Sequence, residues 1–496
     1  MRWLCPILAL LLACGAAESP AEGTDDHPER IREPVAAGSF YPADSASLAL
    51  AVDAYLDSAN ADPLQGRIIS GVVPHAGYVY SGRTAAEVFS QLEGCSYDVV
   101  YVMAPCHRAS LQGFSVYRGD GYRTPLGVVP VASEHADRLR ESHPSASYLF
   151  SAHEREHAIE VELPFLQRTL DPGFSVVPLV VGHCSVDDMR FLAELIYAEA
   201  SHCDLLVLAS SDLSHYPPEE LAREVDSTTI ETYLEGNPAS FADRTAPAVV
   251  TRGVSTVACG RMPMVATLCY QRLFKTAGSS LLHYGNSADT GGDPNRTVGY
   301  AAIATTVDTT AEDSPLSART KNTIRRIVRE ELQRAVEGRP PGEYEAEGAE
   351  MEVLRGVFVT YKSNGELRGC IGTIRPLFPL VDAVAGMARS AATEDPRFEP
   401  IGPEELPSID FSVSVLTPLQ LVQNPATVEV GRDGLYLLKG GSSGVLLPQV
   451  PVGLGWSREE FLQGVSQKAG LYPDAYRADD AHLFRFQAEV FGSTPE

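Results

Sequence analysis

The sequence predicts an α/β protein: a mostly parallel sheet with flanking helices, followed by a smaller α+β domain. Three observations lead there. The chain is 496 residues long, too long for one ordinary domain. Between about 33 and 307, short β-branched runs alternate with amphipathic helical stretches, as a sheet covered on both faces requires. From about 321 a long helix is followed mainly by strands, and the alternation ends.

The expected strands of the first unit are 67–73 (RIISGVV), 97–103 (YDVVYVM), 174–181 (FSVVPLVV), 204–210 (DLLVLAS) and 297–307 (TVGYAAIATTV). Stretches such as SGRTAAEVFSQLEG and VDDMRFLAELIYAEA carry the helical period between them. Residues 309–319 are polar and contain proline, and read as a linker between a first domain at 32–308 and a second at 320–492. The second opens with NTIRRIVREELQRAVEG and continues with the strands GVFVTYK, SIDFSVSVLTPL and DGLYLLKG.

Composition bounds the partners. A formal net charge of −26 would repel nucleic acid phosphates, so no nucleic-acid role is expected. Residues 1–14 read as a lipoprotein signal peptide. Met1-Arg2-Trp3 is minimally basic, and the apolar core LCPILALLLA is too short to span a bilayer. Leu11-Leu12-Ala13-Cys14-Gly15 resembles a lipobox with Cys14 as the acylated residue, and polar residues 15–31 suit a tether. The expectation is an exported bacterial envelope protein on the periplasmic side, touching the membrane only through a lipid anchor. The plain alternative is a cleaved signal that discards Cys14. Beyond Cys5 and Cys14, seven cysteines are scattered without C-x-x-C pairs; most read as buried thiols rather than a disulfide framework.

In open α/β sheets, ligands collect beyond the carboxyl ends of the strands. Three strands are followed there by a histidine: Pro74-His75, Pro105-Cys106-His107 and Asp212-Leu213-Ser214-His215. A lone histidine at a strand end is usually a cap or core residue, but three of the chain's twelve at one edge point to a shared site. Imidazoles are first-choice ligands for iron, copper or zinc, with a thiolate or carboxylate completing the set. Asp212 and His215 are alternatively a proton-transfer pair in which the carboxylate fixes the imidazole tautomer. Cys259, at the entry of an apolar helix, is a further contributor, since a helix N-terminus lowers a thiol's pKa. Spacing alone favours a buried small hydrophobe at Cys259.

The run His153-Glu154-Arg155-Glu156-His157 satisfies two zinc-peptidase signatures of opposite order. The metzincin continuation fails, because Glu160 stands where glycine is needed and Leu163 where the third histidine belongs. Pro164 would also break the required long helix. The peptidase reading is therefore set aside, leaving His153-Glu154 as ordinary loop and His157 as a cleft residue.

REPVAAGSFYP (32–42), PHAGYVYSG (74–82), APCH (104–107), EHAIEVELPFLQ (156–167), SSDLSHY (210–216), ACGRMP (258–263) and NRTVGYAA (295–302) resemble, in order, the motifs of the Memo-like family, AmmeMemoRadiSam system protein B. That resemblance implies a fold like the LigB-type (class III) extradiol dioxygenases and a non-haem metal site holding iron or copper. It maps His75, His107 and Cys259 to the metal, with Asp212 and His215 beside them and His157 lining the cleft. The dioxygenases use a carboxylate as third ligand, so Cys259 departs from the ring-cleaving set. ELRGCIGTI (366–374), DPRFEPI (395–401), GVLLPQV (444–450) and KAGL (468–471) resemble the AMMECR family, system protein A. Within it, Arg368, Gly369, Cys370 and Gly372 form a strand turn. There Cys370 reads either as a thiol or anion pocket tuned by Arg368, or as a buried cysteine at a tight turn.

The functional expectation is a metal-dependent redox protein acting on a small molecule. The alternatives are a peptide-binding scaffold and an envelope metal-handling protein without catalysis. The resemblance also implies a functional link to a radical SAM enzyme. Such a partner is cytosolic, in tension with the exported N-terminus.

Overall fold

The computed structural model describes residues 30–200, 203–247, 253–312, 314–439, 442–478 and 480–494. The signal peptide, Cys14 and nearly all of the tether lie outside the described residues.

Eight strands build the sheet that carries the first domain: β1 (Arg67–Val73), β2 (Val99–Pro105), β3 (Phe114–Val116), β4 (Ala146–Ser147), β5 (Ser175–Val181), β6 (Leu205–Ser210), β7 (Gly278–Asn286) and β8 (Gly299–Val307). Their order is β7-β8-β1-β6-β2-β5-β3-β4. The central four, β1, β6, β2 and β5, run parallel. β8 and β7 add antiparallel at one side, and β3 joins β5 antiparallel at the other. The sheet is thus mixed, with the expected parallel strands at its centre. Residues 278–286 are too polar and exposed to signal a strand by pattern, and β7 escapes sequence reading for that reason.

The central strands read as unbroken apolar runs because both faces are covered. Val99, Tyr101 and Met103 of β2 join the core under the helices Val186–Glu199 and Arg261–Gln271. Val100, Val102 and Ala104 face the opposite core under Tyr78–Phe89 and Leu163–Thr169. Period-two alternation sends successive side chains to these two cores. It also leaves the carboxyl ends of β1, β6 and β2 side by side.

The polar stretch between the domains is tied down rather than loose. Thr309–Glu312 forms a helical turn, and the Glu312 carboxylate accepts the N–H groups of Lys275 and Thr276. The helix of the second domain begins at Ala318, capped by Ser317. Two four-stranded antiparallel sheets follow, the first containing Val357–Ser363 and Glu366–Thr373, the second Gly434–Lys439 and Ala481–Phe486. The domains are locked together by Arg375, which reaches buried Glu194 at 2.9 Å, and by Arg355, which donates to the Leu273 carbonyl at 2.8 Å.

All seven described cysteines are free thiols. Only Cys269 is fully buried and the other six are partly exposed, fewer buried than the sequence suggested.

Candidate metal centre

β1 and β2 each deliver a histidine two residues past their ends. The His75 Nδ1 meets the Ser210 hydroxyl at 2.9 Å, and that hydroxyl has the Ala158 carbonyl and Glu162 as acceptors at 2.9 Å each. With Ser210 donating onward, its oxygen accepts from Nδ1–H, and the Nε2 lone pair turns to Cys259 Sγ, 3.2 Å away. His107 is held likewise. Its Nδ1 lies 2.9 Å from Glu156 Oε1, while its own backbone N–H donates to Glu156 Oε2 at 2.8 Å. Both imidazoles therefore have Nδ1 anchored by a neighbour, the arrangement that fixes a metal-binding tautomer.

The donor atoms of His75, His107 and Cys259 all lie within 4.8 Å of one another. Typical metal–nitrogen and metal–sulfur bonds would separate an imidazole nitrogen from a thiolate by about 3.1 Å at a right angle and about 3.6 Å in a tetrahedron. The observed 3.2 Å falls inside that interval. His107, Glu156 and His157 form a second group within the same limit, a two-histidine, one-carboxylate set sharing His107. Glu156 was not assigned a role from sequence. Its signal was visible only as an acidic residue beside His157.

Burial sets the protonation states. It depresses His75 to about 3, helped by the nearby positive charge His107 would carry. His157 falls to about 4 for the same reasons, burial first and His75 next. Burial alone would raise the Glu156 carboxyl, but its bonds with His107 and the charge of His157 hold it at about 2. The site thus sets the anionic Glu156 carboxylate beside the neutral rings of His75 and His157. His157 stacks on His107, and its buried Nδ1 has no hydrogen-bond partner among the described residues, standing 3.4 Å from Glu156.

Three expectations change here. Asp212 does not orient His215. The Asp212 carboxylate accepts the backbone N–H of His75 at 2.9 Å, whereas the His215 Nδ1 donates to the Leu213 carbonyl at 2.9 Å. The carbonyl two residues back is thus the ring's partner, and Asp212 is taken up by the loop of His75. At Cys259 burial opposes the activation a helix entry would give. Burial and the Asp212 charge push its thiol well up, outweighing the hydrogen bonds that favour the anion. His153 is not loop: it is 1% exposed at the end of the helix Phe150–His153, bonded to Ser115 and Tyr122. The five-residue zinc motif therefore divides between a core histidine and a site histidine.

A cavity of about 500 Å³ opens over the cluster, lined by His75, His107, His157, Asp212 and His215. Phe40, Tyr80, Tyr216 and Tyr300 also line it, with Arg108 and Arg296. Phe40 is brought in by Glu160, which pairs with buried Arg32 at 2.6 Å and accepts the N–H groups of Val35 and Ala36. Tyr216 takes φ +69°, an uncommon conformation for a non-glycine residue, and the Arg296 guanidinium lies over its ring at 4.3 Å. Cys259 lines a separate cavity of about 200 Å³ on its other side. Gly260 is needed for that placement, since a Cβ there would come within 2.4 Å of the Ser210 carbonyl oxygen.

In the second domain, Arg368 is engaged by Glu405 at 2.7 Å and by the Glu399 and Pro400 carbonyls. It forms no anion pocket with Cys370. The Cys370 sulfur instead accepts from the Thr360 hydroxyl at 3.1 Å, and its N–H donates to Asp395. Gly369 and Gly372 stand where backbone and Phe358 crowd in; a Cβ on Gly369 would lie 2.1 Å from the Ala391 carbonyl oxygen.

A mixed α/β domain with a histidine and cysteine cluster at its strand ends, joined to an antiparallel α+β domain, defines the class. The chain belongs to the Memo-like protein family over residues 32–304 and to the AMMECR1 family over 325–491. A MEMO1 family protein of Aquifex aeolicus is 34% identical over 278 residues, covering 55% of this chain and 98% of that protein. A protein of Methanothermobacter thermautotrophicus is 49% identical over 143 residues, covering 28% of this chain and 74% of the relative. A crystal structure of an uncharacterized protein from Pyrococcus horikoshii is 40% identical, covering 34% of this chain and 88% of its own, with a TM-score of 0.32.

Proposed function

We propose that the first domain is a non-haem metal protein of redox, dioxygenase-like character acting on a small aromatic or phenolic molecule. The observation that carries this reading is the anchoring of both His75 and His107 through Nδ1, with Cys259 Sγ 3.2 Å from the free His75 nitrogen. His75, His107 and Cys259 would hold iron or copper, which supplies a redox-active Lewis acid beside the cavity. Binding a cation there displaces the Cys259 proton, so affinity rises with pH.

The remaining residues do the positioning. The rings of Phe40, Tyr80 and Tyr300 suit the faces of a flat ligand. His215, fixed by the Leu213 carbonyl, presents its Nε2 as the proton carrier of the site. Asp212 holds the His75 backbone in register, and Glu156 supplies the negative charge that compensates a bound cation.

The test is oxygen uptake by protein reconstituted without air with ferrous or cuprous ion, against a panel of catechols and hydroquinones. Uptake with product formation, abolished by His107→Ala and lowered at least tenfold by His215→Gln, is expected. No uptake with either metal contradicts the redox reading.

A further inference from the structure

The boundary between the two domains holds a cavity of about 400 Å³, far in sequence and in character from the histidine cluster. Its inner wall carries Arg355, only 7% exposed. One guanidinium nitrogen, Nη1, donates to the carbonyls of Leu273 and Leu354 at 2.8 Å each. Among the described residues no carboxylate pairs with this guanidinium. Lys275 lines the same cavity, half-buried, and its Nζ is bonded to the Ser314 carbonyl rather than to an acid. Two carboxylates, Glu312 and Glu489, line the same cavity, and both have other partners. Glu312 caps the backbone of Lys275 and Thr276, and Glu489 pairs with Lys321 at 2.7 Å and accepts the Leu316 N–H.

A buried guanidinium with no carboxylate in contact is costly, and two neutral carbonyls and the more distant charge of Glu312 offset only part of that cost. Burial indeed lowers the Arg355 pKa from its ordinary value. Guanidinium presents a fork that matches the paired oxygens of carboxylate or phosphate. Thr417, Gln420 and Gln487 line the same cavity and add polar surface.

We propose that this interdomain cavity is a binding site for a small oxyanion, a phosphate- or carboxylate-bearing molecule, held by Arg355 and Lys275. Lys275 comes from the first domain and Arg355 from the second, so the bound anion bridges them. The site is independent of the metal centre, and it gives the fusion of these two domains a ligand of its own.

Titration calorimetry of the full chain tests this, with inorganic phosphate in one arm, malonate in the other and chloride at equal ionic strength as control. Saturable binding of phosphate or malonate, weakened at least tenfold by Arg355→Gln, is expected; the arm that binds tells phosphate from carboxylate. Lys275→Gln, at the half-buried rim, serves as a second variant should Arg355→Gln not fold, and is expected to weaken binding at least threefold. Two results overturn the proposal: no saturable binding of either anion beyond chloride, or binding unchanged in the variant that folds.

Discussion

Glu156 grips His107 twice, taking the ring Nδ1–H on one oxygen at 2.9 Å and the backbone N–H on the other at 2.8 Å. Its Oε1 also accepts the Ala158 N–H at 3.1 Å, so one carboxylate fixes both the loop after β2 and the turn that carries His157. The motifs at 104–107 and 156–160, distant in sequence, are coupled through this single side chain.

Replacing it should loosen the site without emptying it. Glu156→Gln keeps the shape but places an amide N–H₂ against at least one of the three N–H donors and removes the negative charge. Metal affinity is expected to fall about 10–100-fold, as for other partners that orient ligands. Competition with a chelator of known affinity measures this, and an unchanged affinity would show that Glu156 does not orient His107.

His153 predicts a specific acid response. Burial, with the Arg32 charge, depresses it to about 3, whereas in the unfolded chain it titrates near 6.5. The folded state therefore holds it neutral, and the unfolded state binds the extra proton. Its contribution is complete above pH 6.5 and is lost as pH falls toward 3, at up to about 1.4 kcal/mol per pH unit. Urea unfolding at pH 7, 6, 5 and 4 should show a shallower pH slope for His153→Leu than for wild type, though the variant is less stable at pH 7. Parallel slopes would contradict the assignment.

Gly369 is a packing requirement. A methyl group there meets the Ala391 carbonyl, so Gly369→Ala should cost about 1–3 kcal/mol through forced backbone shifts. Gly386, on the helix Leu380–Thr393, has open space around its Cβ position, and Gly386→Ala should be neutral or mildly stabilising. Thermal unfolding of the two variants side by side checks the contrast; equal effects would refute it.

The N-terminal reading has its own test. In a bacterial host, wild-type chain should incorporate labelled fatty acid and sediment with membranes, and Cys14→Ser should do neither. Labelling that survives Cys14→Ser would disprove the lipobox.

Much of this architecture is legible in the sequence because burial on both faces writes itself as unbroken apolar runs. β1, β2, β5 and β6 fall within two residues of the expected bounds. β7 is edge-located and half-exposed, so no pattern marks it. At the site, His75, His107 and His215 announce themselves by following strands. Glu156, Ser210 and Glu162 do not, because a hydrogen bond across the fold leaves no local periodicity. The Asp212–His215 pairing misled for a related reason: sequence proximity suggested a carboxylate contact, while the nearer Leu213 carbonyl takes the bond. His153 and His157 look alike in the sequence, yet a helix end directs one to the core and a turn directs the other to the cavity.

The central claim is that His75, His107 and Cys259 form one metal site. Metal analysis of protein purified without air tests it most directly, comparing wild type with Cys259→Ser and His75→Ala. The account predicts close to one iron or copper per chain in wild type, reduced at least tenfold in His75→Ala and clearly lowered in Cys259→Ser, all with unchanged circular dichroism. Wild-type protein that is folded, metal-free and unable to take up either ion would contradict it.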